Sequence, residues 1–330
     1  MGITCPEAAL IRGPKKNTPH CTKVQGSIRG RHRSWIVPDV GEQSVGSRVL
    51  LISSADTKFF GLLREMIASL ERLPQDEMPV YDLAVFDLGL SFEDRAFLAE
   101  RDAQVVLPRP HEGLGSTDRP LELAFLVRPY LREYFPGYDI YVWVDSDVWL
   151  QTPAVLHALI DGAARKGMAI AHENERGYRF QRQLFLWTAK HFLLGYGVVR
   201  GLWLLTRPHL NAGLFAIRHD APHWEAWAQR YAAAIRRTGK LTPHDQFALN
   251  QAIYQDKLPT EILPANVNWI CDRGVPMWND EIREFCEPYP PYRPIGALHL
   301  AGPGKRTVYR IKRTGGAAFN AMIRFGMAPP

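Results

Sequence analysis

The sequence predicts an α/β protein, built on a mostly parallel sheet with helices on both faces. Three observations carry this. Through the first half of the chain, short apolar and β-branched runs alternate with segments of helical periodicity, the pattern of strands wound into a parallel sheet. The chain has 330 residues, 46% hydrophobic and 22% charged, so it is long enough to bury a sizeable core. Finally, the apolar run "YVWVDSDVWL", Tyr141 to Leu150, contains two acids, Asp145 and Asp147. Carboxylates are costly to bury unpaired, but they belong at the carboxyl end of a strand, where such sheets bind ligands.

The elements follow in order. Residues 1–47 are rich in Gly, Pro, Ser, Lys and Arg and have no periodicity; they predict a disordered basic segment. Order begins at "RVLLISS", a buried strand. In "KFFGLLREMIASLERL", Phe59, Leu62, Leu63, Met66, Ile67 and Leu70 fall on one helical face. "PVYDLAVFDLGLS" is a second strand, and "SFEDRAFLAER" a helix with Ser91 as its cap and Asp94 at the capping-box position. "AQVVLP" is a third strand. "LELAFLVRPYLREYF" is a helix kinked at Pro129, and "DIYVWVD" is the fourth strand.

The second half is less regular. "MAIAH", "AGLFAIR", "TEIL" and "IGALHLAG" read as strands. "HWEAWAQRYAAAIRR" is an amphipathic helix, and "TPHDQFALNQAIYQ" a helix with Thr242 as cap and Pro243 at its first position. There is no internal repeat and no linker after residue 48, so residues 48–305 form one domain and 306–330 a basic tail. The stretch Leu184–Leu205 is apolar and aromatic but is interrupted by Lys190, His191 and Arg200. That suits a buried helix pair turning near Gly195–Gly197 better than a membrane span; a membrane-surface patch is the sharper alternative.

The net charge of +6, with much of the basic excess near the two ends, favours anionic partners without choosing among them. Cys5, Cys21, Cys271 and Cys286 have no CxxC spacing. They make neither a disulfide framework nor a zinc site, which fits a reducing compartment. No secretory signal pattern opens the chain, so a cytoplasmic location is expected.

Four elements carry chemistry. In extended backbone, Asp145 and Asp147 point the same way with Ser146 turned aside. Two such carboxylates suit Mn²⁺ or Mg²⁺ shared with a phosphate. In "LHLAGPGK", His299 is a third ligand, Gly302 and Gly304 permit close backbone approach, and Lys305 suits phosphate. In "LNAGLFAIR", Asn211 is either a turn residue or a donor to a sugar hydroxyl. In "TPHDQFALN", Asp245 and Gln246 open a helix, and Asp245 also fits a capping box with Thr242. Alone, each has a bland alternative as turn, cap or solvated cation. The DxD followed about 150 residues later by HxxGxxK is the specific combination.

In this order, "VLLISSAD", "YVWVDSDVWL", "LNAGLFAI", "HDQFALNQ" and "LHLAGPGK" resemble the retaining glycosyltransferases of family 8 and their relatives, which have the GT-A fold, a Rossmann-like mixed sheet. The resemblance spans roughly residues 48 to 305. It implies that Asp145, Asp147 and His299 coordinate Mn²⁺ on a nucleotide-sugar diphosphate and that Lys305 and Gly302 contact that diphosphate. It places Asn211, Asp245 and Gln246 at the donor sugar, and Ser53, Ala55 and Asp56 at the nucleobase edge. It implies a UDP-sugar donor, a hexose (glucose or galactose), and retention of anomeric configuration. Two positions depart from the family pattern: Phe247 stands where a second acid is common, and Phe59 where a tyrosine is common.

Other readings are a sugar-phosphate nucleotidyltransferase, a DxD phosphatase, or a non-catalytic carbohydrate- or nucleotide-binding protein. The first expects a Gly-rich loop after the first strand, where "SSADTKFF" has none; the second expects its acid after that strand rather than the fourth. The last would leave a complete metal-and-diphosphate set idle. No nucleic-acid partner is expected. The acceptor is expected to be a glycan or lipid-linked glycan, with peripheral contact at the inner membrane surface, given the basic ends and Leu184–Leu205.

Overall fold

The computed structural model describes residues 46–109, 111, 117, 119–241 and 244–326. Most of the N-terminal segment, and Thr242 and Pro243, lie outside them. The described residues fall within one compact unit. It opens with β1 (Val49–Ala55), α1 (Phe60–Arg72), β2 (Asp82–Asp87), α2 (Phe92–Ala99) and β3 (Gln104–Val106). Every residue of β1 is buried, as expected of a strand covered on both faces. Helix α1 buries Leu63, Met66, Ile67 and Leu70, and α2 begins with the capping box of Ser91 and Asp94.

The kink at Pro129 divides the next helix into α3 (Pro120–Val127), a 3₁₀ turn over Arg128–Tyr130, and α4 (Leu131–Tyr134), because proline cannot donate the helical hydrogen bond. The chain continues through β4 (Ile140–Val144), β5 (Val148–Leu150), α5 (Ala154–Lys166) and β6 (Met168–His172). Then come α6 (Arg182–Tyr196), α7 (Val198–Leu205), β7 (Leu210–Arg218), α8 (His223–Thr238), α9 (His244–Gln255) and β8 (Thr260–Leu263). Six short strands complete it: β9 (Trp269–Ile270), β10 (Met277–Asn279), β11 (Glu284–Cys286), β12 (Ala297–His299), β13 (Tyr309–Ile311) and β14 (Phe319–Ala321).

The central sheet has the order β3-β2-β1-β4-β7-β6-β8. Its pairs are parallel except β4–β7 and β7–β6. One face packs on α1, α2 and α5 through Leu51, Leu63, Met66 and Leu159. The other packs on α3, α4, α8 and α9 through Phe86, Trp143, Trp224 and Trp227. A smaller sheet, β5-β12-β9, carries a third core around Trp149, Trp269 and Leu298.

Two expectations change here. The segment beyond residue 305 is packed: β13 and β14 pair, and Tyr309, Ile311 and Ile323 are buried in the third core. Its apolar side chains find cover only against distant segments of the fold, which the stretch by itself does not reveal. The helix pair in Leu184–Leu205 is present as α6 and α7 with its turn at Gly197, but it is largely exposed. Only Phe192, Gly195 and Tyr196 of α6 and Gly201 and Leu204 of α7 are buried. No helix among the described residues is long and apolar enough to cross a membrane. Cys271 and Cys286 are buried free thiols.

Candidate active site

The topology assembles the site at one sheet edge. Strands β1 and β4 are parallel neighbours, so their carboxyl ends carry Asp56 and Asp145 to the same side. Strand β7 runs antiparallel to β4 and to β6, which brings its first residues, Asn211 to Gly213, beside the end of β4, and Glu173 just past the end of β6. The antiparallel pairing of β5 with β12 places His299 opposite Val148, next to Asp147.

The two aspartates converge through a turn, not through strand alternation. The Val148 N–H donates to the Asp145 carbonyl (2.9 Å), closing a tight turn between β4 and β5, and Ser146 faces the cleft with its neighbours. The turn forms because β5 leaves the central sheet to pair with β12. One oxygen from each carboxylate and a ring nitrogen of His299 lie within 4.8 Å of one another. His299 Nε2 is 3.5 Å from Asp147 and 3.9 Å from Asp145.

A hydrogen-bond chain determines what His299 offers. Glu173, a buried carboxylate, accepts from the Asn211 amide (2.7 Å). The Asn211 oxygen accepts from the Gly213 N–H (2.9 Å) and from the Asn268 amide (2.9 Å). The Asn268 oxygen therefore faces His299 Nδ1 (3.1 Å), which must donate to it. In its neutral form the ring then carries its lone pair on Nε2, aimed at the two aspartates. Three electron-rich donors of this kind fit a divalent cation. We expect Glu173→Gln, which no longer enforces the polarity of this chain, to weaken Mn²⁺ affinity about ten- to a hundred-fold. Calorimetric Mn²⁺ titration checks this, and unchanged affinity would rule the chain out.

Cations surround the acids. Lys305 Nζ lies 2.5 Å from Asp147. Burial opposes the charge of Asp147, but the His299 ring when it is protonated, together with Lys305, holds its carboxyl below the ordinary carboxylate range. Arg128 bridges Asp145 (2.5 Å) and Asp245 (2.7 Å) with its side chain 4% exposed, its guanidinium lying over the Phe125 and Trp143 rings. Burial pushes the Asp245 carboxyl up to about 6 despite Arg128, and neighbouring Asp145 adds to the rise. Burial likewise opposes the charge of Glu173, but His209 and Arg273, at 2.8 and 2.7 Å, hold its carboxyl far below the ordinary range.

These groups line a cleft of about 800 Å³. Of the residues singled out from the sequence, Ala55, Asp56, Asp145, Asp147, Asn211, Asp245, Gln246, His299, Gly302 and Lys305 all face it. Ser53 does not: it is fully buried within β1, and Ser54 faces the cleft instead. Asn211 spends its amide within the protein, as does Gln246, which bonds Glu173 and the Ala212 N–H. Phe247 packs against Phe192 of α6, ring centroids 4.6 Å apart, so an apolar contact between α9 and α6 occupies the place of the second acid. Phe59 lines the cleft below Lys305.

Sequence reasoning missed Arg128, Glu173, Asn268, Arg273 and Gly213. Arg128 left a signal, a lone cation in the apolar run "LAFLVRPY". Glu173 left another, an acid directly after a buried strand, which is the pattern that drew attention to Asp145. Gly213 admits no side chain: an added Cβ would lie 2.5 Å from the His299 ring and 2.7 Å from Asp145. Its hydrogen atom lets strand and ligands approach closely.

No family model matches the sequence, and no curated protein matches it. Solved structures do. The galactosyltransferase LgtC, in complex with donor and acceptor sugar analogues, is 15% identical with a TM-score of 0.50, over 77% of this chain and 88% of that one. Apo WbbM, a bifunctional glycosyltransferase, is 16% identical with a TM-score of 0.49, over 78% of this chain and 46% of that one. Apo mouse xyloside xylosyltransferase 1 is 14% identical with a TM-score of 0.46, over 77% and 97%. With its mostly parallel seven-stranded sheet and helices on both faces, the chain has, as the likeness to LgtC shows, the Rossmann-like mixed sheet of the GT-A fold.

Proposed function

We propose that this chain is a metal-dependent retaining glycosyltransferase that moves a hexose, glucose or galactose, from a UDP-sugar to a glycan or lipid-linked acceptor. The observation that carries this reading is the convergence of Asp145, Asp147 and the His299 lone pair beside Lys305 in one cleft. Asp145, Asp147 and His299 would hold Mn²⁺ or Mg²⁺. A divalent ion bound there supplies positive charge against the departing diphosphate. Lys305 and the Gly302 backbone face the same diphosphate, and a cation already in position needs no reorganisation as charge develops. Ser54, Ala55 and Asp56 form the nucleobase edge. Asn211, Asp245 and Gln246 lie toward the sugar, and Arg128 keeps Asp145 and Asp245 at their posts.

The acceptor would enter an adjoining hollow of about 640 Å³ that shares Leu184, Thr188, His209 and Arg273 with the cleft. Its remaining wall mixes Tyr178 and Phe180 with Arg176 and Arg179, rings and donors suited to a sugar chain. A cytoplasmic protein at the inner membrane surface would meet lipid-linked acceptors there.

The test is UDP release from a panel of UDP-sugars, with Mn²⁺ and with chelator, together with UDP binding on the same sample. Metal-dependent release from one hexose donor supports the reading and names the sugar. Absence of Mn²⁺-dependent UDP binding overturns it in favour of another nucleotide or a non-catalytic role.

A further inference from the structure

The helix pair α6–α7 exposes what a folded domain ordinarily covers. On α7, Val198, Val199 and Leu202 share one face by helical spacing, with Val199 83% and Val198 64% exposed. Leu194, at the end of α6, is 54% exposed. The two helices are held together closely at their inner faces: an added Cβ on Gly201 would meet the Phe192 carbonyl at 2.8 Å. The outward apolar face is therefore presented by a packed hairpin.

The stretch of sequence that contains it is basic. Between Glu175 and Asp220 the sequence has no acidic residue, and it carries Arg176, Arg179, Arg182, Lys190, Arg200, Arg207 and Arg218. Beside the hairpin turn, a second hollow of about 440 Å³ is lined by Arg200, Arg230, Arg236 and Arg237. Arg237 lies within 3.6 Å of where a Gly197 side chain would begin, so this hollow adjoins the apolar tip. Arg230 pairs with Asp256; Arg200, Arg236 and Arg237 have no ion-pair partner among the described residues.

We infer that this face docks on an anionic lipid bilayer: Val198, Val199 and Leu202 enter the headgroup boundary, and Arg200, Arg236 and Arg237 bind lipid phosphates. Apolar side chains ringed by cations suit such an interface. A second copy of the chain fits poorly, because a two-fold contact sets each cation against its own kind. Helix α6 also lines the donor cleft through Leu184, Trp187 and Thr188, so docking brings the cleft toward the bilayer. The surface stands independently of which group the cleft transfers; only the arrival of a lipid-linked acceptor rests on the glycosyl-transfer reading.

The test is flotation of the full chain with vesicles of phosphatidylglycerol and phosphatidylcholine, against phosphatidylcholine alone. The wild type should float with the anionic vesicles only. V199E/L202E and R236E/R237E should each lower the floated fraction at least about ten-fold while Mn²⁺-dependent UDP binding is retained. That binding reports separately on the glycosyl-transfer reading. Failure of the wild type to float overturns the inference. So does undiminished flotation of both variants, which would place the anchor elsewhere, or a dimer dissolved by V199E/L202E, which would assign the face to self-association. Should V199E/L202E misfold, Val199→Cys carrying an environment-sensitive dye gives the same answer. A blue shift with anionic vesicles supports docking, and an unchanged spectrum refutes it.

Discussion

Arg128→Met should lower the stability of the protein by about 3–5 kcal/mol, as removal of one partner from a buried ion pair does. Arg128 is 4% exposed and its two forks serve Asp145 and Asp245, the latter 3% exposed. Methionine fills much of the space between Phe125 and Trp143, so the loss isolates the charge. Without the guanidinium, Asp245 must either stay charged without its ion-pair partner or take up a proton, and Asp145 Oδ1 keeps only the Trp143 indole N–H (2.7 Å) of its two donors. Chemical denaturation measures the effect. The double variant R128M/D245L should recover part of it, because the uncompensated buried acid is then gone. A loss below about 1 kcal/mol for R128M, the range of an exposed pair, would show that Arg128 does not hold these acids together.

Asp147→Ala should abolish metal-dependent turnover, by at least about a hundred-fold, the scale on which lost charge stabilisation is felt at a reacting centre. It should leave the fold in place. The Asp147 backbone carbonyl, which accepts from the Leu300 N–H (2.9 Å), survives the substitution. Lys305, the partner that loses its acid, is 24% exposed and can turn to water. The measurement is UDP release with Mn²⁺ alongside circular dichroism of the same sample. Undiminished release from folded Asp147→Ala would remove Asp147 from the proposed metal site.

The elements that were legible in the sequence are those decided by neighbours along the chain. Helix α1 was legible because its apolar residues recur at helical spacing, α2 because Ser91 and Asp94 satisfy one another's backbone groups locally, and β1 and β4 because their buried runs are bounded by polar residues. The same holds for part of the site. Asp145, Asp147, His299 and Lys305 stand in short motifs whose residue types announce metal and phosphate chemistry without reference to anything distant.

What the sequence by itself determined, then, was the class of sheet, the order of most of its elements, and the acid, imidazole and lysine groups that meet in the cleft. Only the tertiary structure decided how they meet. The turn at Ser146 exists because β5 pairs with β12, whose residues lie far along the chain. Glu173 sets the tautomer of His299 through Asn211 and Asn268, four residues on separate segments, and Arg128 reaches an acid 117 residues away. Burial was decided there too. Composition alone cannot say whether an apolar helix pair finds cover, and α6–α7 finds it on one side only. Periodicity and caps are local interactions, whereas ion pairs, hydrogen-bond chains and exposed faces depend on which distant segments the fold brings together.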